Sequence, residues 1–212
     1  MTRLPEKQST DRVRLFALLD SVQIAHVGLV ADEHPLVVPT GFVRDGDRLL
    51  IHGSTGSRWM RTLAGGIDAC LAVTALDAVV VARSAFESSF QYRSAVLFGA
   101  FTPVADAAKQ QALDVIVDRL LPGRRPEVRG STARELAATS VLAMPIVRWS
   151  LRVSDKWPED EDSDIAGTAW AGVVPMRTEY GEPVPAPDLR AGIDVPPSVQ
   201  ALTSTDGTEG TS

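Results

Sequence analysis

Cysteine occurs once in these 212 residues, as Cys70. One cysteine cannot form an internal disulfide, and its place in the apolar run "IDACLAVTAL" marks it as a core residue. Histidine occurs three times, as His26, His34 and His52, scattered and without paired carboxylates, so no metal site is expected. Basic residues are outnumbered, 21 Lys and Arg against 27 Asp and Glu, a formal charge of −6. No Lys/Arg cluster offsets that balance, which argues against nucleic acid and against an anionic membrane surface as partner. No apolar run approaches the roughly 20 residues that span a bilayer. "MTRLPEKQST" lacks the apolar centre of a signal peptide, so a soluble cytoplasmic protein is the expectation. Three well-known chemical motifs are also missing. There is no G-x-x-x-x-G-K-[ST] phosphate loop, no G-x-G-x-x-G after a strand, and no G-x-S-x-G elbow.

What is present is a chain with enough apolar residues, 44% of the total, to build a core and exclude global disorder. Residues 1–9 read as a loose lead. Ser9 or Thr10 is placed to cap a helix running to about Leu19, with Val13, Phe16 and Leu19 on one face. Strands are expected over 21–31 and 36–44, the second interrupted by Pro39 as an edge or bulge. Asp45-Gly46 is a strong hairpin turn into a third strand, "DRLLIHG". Further strands are expected over 67–76 and 78–86, with Asp77 alone as a tight turn between them, and over 91–104. In this last strand Tyr92, Ser94, Val96 and Phe98 share one face, and Arg93, Ala95 and Leu97 the other. A helix capped by Asp106 runs to Leu121, a second covers 132–140, and 141–155 closes as one long strand bent at Pro145. About six strands with short connections predict a mainly β fold with inserted helices, an antiparallel barrel over residues 1–155. Residues 156–198 form an acidic, solvated loop and an extended proline-rich arm, and 199–212 a disordered tail.

The stretch with the most chemistry is Arg48–Leu63, "RLLIHGSTGSRWMRTL". A strand stops at Gly53, a small polar loop follows, and a helix opens near Ser57. Helix-opening N–H groups carry partial positive charge and lack internal partners. Ser54, Thr55 and Ser57 add hydroxyls, Arg58 and Arg61 add cations, and Gly53 and Gly56 let backbone come close. The layout suits a phosphate held without a built-in nucleophile. On this stretch alone, Ser57 acting as a plain cap beside solvated arginines explains the pattern equally well.

Four segments in order, "IHGSTGSRWMRTL", "VVVARSAF", "QYRSAVLFG" and "AWAGVVP", resemble the pyridoxamine 5′-phosphate oxidase-like flavoproteins, in the branch of flavin-nucleotide-binding and nitroimidazole-resistance proteins. The resemblance runs from about Thr10 to Pro197. It implies a six-stranded split β-barrel, a homodimer, and FMN in the groove between subunits. By that resemblance His52, Gly53, Ser54, Ser57 and Arg58 hold the flavin phosphate. Tyr92, Arg93 and Ser94 form a second wall, Pro39, Thr40 and Gly41 lie against the flavin ring, and Trp170 reaches it from an arm. The implied activity is an FMN-dependent oxidoreductase acting on a small molecule. Its rivals are a non-catalytic flavin carrier or sensor and a barrel that binds deazaflavin or haem. For haem, His26 or His52 would supply the axial ligand. Two departures stand out: Trp59 replaces the Lys that often follows the Arg of "SR", and "SSFQ" replaces a segment that often carries His and Asn.

Overall fold

A computed structural model describes residues 8–204. Ten strands and six helices alternate along it. The strands are β1 (Gln8–Ser9), β2 (Ile24–Ala31), β3 (His34–Asp45), β4 (Arg48–Ser54), β5 (Asp68–Val81), β6 (Ser89–Ala100), β7 (Thr102–Pro103), β8 (Thr139–Pro145), β9 (Arg148–Ser154) and β10 (Gly172–Pro175). The helices are α1 (Arg12–Ser21), α2 (Arg58–Ala64), α3 (Asp106–Leu120), α4 (Ala133–Ala138), α5 (Asp162–Ile165) and α6 (Pro197–Thr203). All the strand pairs are antiparallel, in the order β1-β9-β6-β5-β2-β3-β4-β8-β7, with β10 added to β5. This is the expected curled, mainly β sheet of the split-barrel type, with seven long strands where about six were expected and three short ones, β1, β7 and β10, added to them.

Alternation along the strands decides which face is inside. Ala25, Val27 and Leu29 of β2, Leu71 and Val73 of β5, Ala95 and Leu97 of β6 and Leu151 of β9 are buried. They meet Leu15, Leu18 and Leu19 of α1, which plugs the curl against β3, β5 and β6. Asp11, not Ser9 or Thr10, caps α1, its carboxylate accepting from the Val13 and Arg14 N–H groups. The β3-β4-β8 side carries apolar residues on both faces. Leu49, Ile51, Leu142 and Met144 point into the main core; Val43, Leu50, Val141 and Ala143 meet Ala112 and Ile116 of α3.

Four expectations are corrected. Asp77 is not a turn: 68–81 is one strand, and Asp77 is a bulge where the register with β6 shifts between Leu76 and Ala78. A single residue cannot reverse a chain into a hairpin, whereas one extra residue in a ladder makes a bulge. The stretch 141–155 is two strands: β8 pairs with β4 and β9 with β6, so Pro145 marks the crossing between sheet halves. Asp106 is the first residue of α3, after Ala105 at the cap position. The acidic loop is tied down, since the Asp160 carboxylate, 1% exposed, accepts from the Arg83 backbone N–H at 2.7 Å and Nη1 at 2.9 Å. The lead over 1–7 and the tail over 205–212 lie outside the described residues; of the expected tail, 199–203 belongs to α6. The arm runs back along the body, with Tyr180 Oη accepting from Gln23 Nε2 and the Ser198 N–H and hydroxyl donating to Glu127. That contact holds the Glu127 carboxyl below its ordinary value. No helix among the described residues is long and apolar enough to cross a membrane.

Candidate functional site

β3 changes partners halfway. It pairs with β2 from His34 to Gly41 and with β4 from Phe42 to Asp45. The last β3–β4 pair is Phe42 opposite Ile51, so His52, Gly53 and Ser54 keep β8 on one side and have lost β3 on the other. The opening that results has Pro39, Thr40 and Gly41 on one lip and His52, Gly53 and Ser54 on the other. Pro39 sits on a half-strand paired only with β2, the edge position a residue without an N–H tolerates. Two of the sequence-predicted segments are thus brought together by one strand switch.

The loop after β4 is rigidly held. The Gly56 N–H donates to Ser54 Oγ at 3.1 Å, and the Thr55 N–H and hydroxyl both donate to the Ala138 carbonyl, at 3.0 and 3.3 Å. Ser57 occupies the cap of α2, yet its hydroxyl makes no capping bond, so it remains available to a ligand. Gly53 is explained by packing: a Cβ there would stand 3.2 Å from Cγ of Met60, which is buried. Arg58 is not a free cation. Its guanidinium pairs with Asp32 in the β2–β3 turn, and both side chains are exposed. That turn has positive φ at both Asp32 (50°) and Glu33 (65°), the geometry of a tight hairpin turn in which glycine is favoured at the second position.

Between the β2–β3 turn and α2 lies a cavity of about 390 Å³. Ala31, Pro35, Leu36 and Trp59 give it apolar walls, Asp32, His34, Arg58 and Thr62 its polar groups. Asp32, His34 and the cavity role of Trp59 were not legible in the sequence, because the hairpin meets α2 through a contact between segments far apart in the chain.

The remaining candidates lie elsewhere. Tyr92 and Ser94 face outward on β6, opposite Leu76 and Thr74 of β5. The Arg93 guanidinium is committed to the bulge, with Nε 3.0 Å from Asp77 Oδ2 and Nη2 2.8 Å from Oδ1. Hydrogen bonding to that carboxylate raises the Arg93 pKa above its ordinary value. The Asp77 carbonyl accepts from the Met176 N–H at 2.8 Å, so this residue also ends β10. Trp170 is 65% exposed and lies over Gly172, whose strand partner is Val81, at the opposite end of β5 from the stretch that pairs with β2. The chain therefore presents the β3/β4 opening with Ser57 and Arg58, and, with β5 and β2 in between, Tyr92, Arg93 and Ser94 on β6, and Trp170 past the end of β5. His26 and His52 are exposed, with no hydrogen bond to either ring among the described residues. No group of three His, Cys, Asp or Glu among them is placed to hold a metal ion.

The family described as pyridoxamine 5′-phosphate oxidase matches residues 11–153. No curated protein matches the sequence. Among solved structures, the FAD and heme binding protein from Mycobacterium smegmatis is 58% identical, covers 93% of this chain and 97% of its own, and has a TM-score of 0.90. The flavocytochrome Anf3 from Azotobacter vinelandii is 34% identical over 95% of this chain and 94% of its own, with a TM-score of 0.88. A putative 5-nitroimidazole antibiotic resistance protein from Bacteroides thetaiotaomicron, at 19% identity and a TM-score of 0.59 over 69% of this chain and 86% of its own, shares the fold.

Proposed function

The chain belongs to the pyridoxamine 5′-phosphate oxidase family, and from that premise we propose that it is a redox protein that binds a flavin nucleotide and a haem, with the flavin in a groove between two copies. The observation that carries the reading is the 58% identity, across 93% of this chain, to a protein named for binding FAD and haem. The β3/β4 opening fits the flavin in kind. It has an uncommitted hydroxyl at Ser57, a cation at Arg58, and strand edges at 39–41 and 52–54 that have no ladder partner across the split among the described residues. Tyr92 and Ser94 stand on β6, with β5 and β2 between them and the β3 lip, and in this reading they and Trp170 serve the opening of a second copy. A flavin supplies one- and two-electron chemistry and a haem one-electron chemistry; the chain's part is to bind, orient and shield them. A haem requires an axial ligand. His52, on the lip of the opening, and His26, on the outer face of β2, have ring nitrogens free to serve.

The reading departs from FMN as sole cofactor. The test begins with the absorption spectrum of the purified protein reconstituted with FAD, FMN and haemin. A flavin band near-stoichiometric with chain, and a haem Soret band lost in either His52→Ala or His26→Ala, are expected. Arg58→Ala should weaken flavin binding by about 1.5 kcal/mol, the low end for a charge-assisted hydrogen bond because Asp32 already competes for the guanidinium. A protein that takes up neither flavin nor haem refutes the proposal.

A further inference from the structure

Trp59 stands where a lysine is common after "SR", and the structure gives it a use. It forms a wall of the cavity between the β2–β3 turn and α2, together with Pro35, Leu36 and Ala31. The volume of about 390 Å³ falls within the roughly 300–1,000 Å³ of small-molecule sites. Its composition also matches such sites, an apolar lining with a few polar groups at fixed points: Asp32, His34 and Thr62. Arg58 belongs both to this cavity and to the corner assigned above to the flavin phosphate, since the residue follows Ser57 directly. The cavity therefore begins where a flavin mononucleotide would end.

We infer that this cavity is the adenosine subsite of a flavin dinucleotide, with the purine packed on Trp59 and the second phosphate drawn to Arg58. The inference rests on the flavin reading of the β3/β4 opening and names the ligand more narrowly. An indole offers a flat apolar face to a purine, an attraction that an ammonium does not provide. Leu36 and Pro35 add to the apolar lining. Asp32 and His34 supply the hydrogen-bonding groups with which a purine edge or ribose hydroxyl is recognised. Stacking on Trp59 acts on the base alone, which favours the dinucleotide over the mononucleotide. Asp32 and Arg58, both lining the cavity, pair with each other in the free protein. A diphosphate competes with that carboxylate for the guanidinium, so dinucleotide binding should weaken as salt rises.

The test is parallel titration of apoprotein with FAD and with FMN, read by flavin fluorescence. In Trp59→Lys the FAD dissociation constant should rise tenfold or more, while that for FMN changes less than threefold. Because Trp59 also packs on the main core, Leu36→Glu is the second variant. It places a carboxylate in the cavity from a residue that is 39% exposed, and should likewise discriminate against FAD alone. If Arg58→Ala weakens both flavins but neither variant alters the FAD-to-FMN ratio, the adenosine assignment is wrong and the flavin corner stands. If Arg58→Ala weakens neither flavin, the corner itself is misplaced and the assignment falls with it.

Discussion

Gly28, in the middle of β2, lies opposite Cys70 of β5, and a Cβ added there would stand 2.7 Å from the Cys70 Sγ. No real Cβ sits that close, so the lone cysteine fills the space that one glycine leaves. Gly28→Ala should cost about 1–3 kcal/mol of overpacking despite the usual gain from replacing a strand glycine. Removing the sulfur should relieve it. In a double-mutant cycle by urea unfolding, Gly28→Ala with Cys70→Ala is expected to be clearly less destabilised than the sum of the single changes. Additive values would mean that the two residues do not share this space. The same reasoning changes the meaning of Gly53. In the sequence it reads as room for a ligand; in the fold that room is taken by Met60. Arg93, which the resemblance puts in a second wall of the site, is found clamping the Asp77 bulge. Residue types reveal capacity for chemistry, but a side chain's actual partner is set by contacts that the local pattern does not contain.

At the scale of elements, local rules were reliable where the cause is local. The Asp45-Gly46 hairpin, with φ +59° at Gly46, joins β3 to β4 as composition predicts, and Gly65-Gly66 ends α2. The β5 bulge and the β8/β9 crossing were not legible, because continuous apolar runs do not say which neighbour a strand pairs with. The helix over 132–140 was legible, and it is built on a complete capping box: the Thr132 hydroxyl accepts from the Glu135 N–H while the Glu135 carboxylate takes the Thr132 N–H. The Glu135 pKa is lowered from 4.5 to about 2, first by hydrogen bonding to Arg129 and then by Thr132. A depressed carboxyl pKa contributes stability that is complete above the unfolded value of 4.5 and is lost as pH falls through about 2. Amide exchange over 133–138 should therefore quicken as pH drops through that window, beyond the intrinsic trend. The Thr55 amide should follow, since it bonds to the Ala138 carbonyl. Glu135→Gln should flatten the dependence; an unchanged profile in that variant would assign the transition to another group.

For the whole molecule, the barrel class was written in strand lengths and turns, while its split came only from the family resemblance. Only the change of partners in β3 creates an opening, and that is a property of the sheet as a whole. On the outer face of the β6-β5-β2-β3 stretch, beside the arm whose Tyr180 reaches Gln23, apolar side chains stand exposed. Ile24 is 54% exposed, Val37 62% and Phe98 41%, and around them register places Pro39, Ala72 and Val96. This patch ends at β9, where Arg148 stands over the Phe98 ring; exposed apolar side chains grouped in this way suit an association surface, and a stable one buries about 800 Å² on each partner. The flavin reading requires that two copies pair through it with Tyr92 and Ser94 of one against the opening of the other. The prediction is a coupled loss. Val37→Asp or Phe98→Asp should leave the circular dichroism and melting temperature close to those of the parent, because these side chains are solvent-facing in the protomer. Sedimentation should nevertheless show a shift to monomer, and flavin retained at high protein concentration should be released on dilution, earlier in the variants than in the parent. Flavin held equally by a monomeric variant would separate the two properties and place the whole cofactor site within one chain.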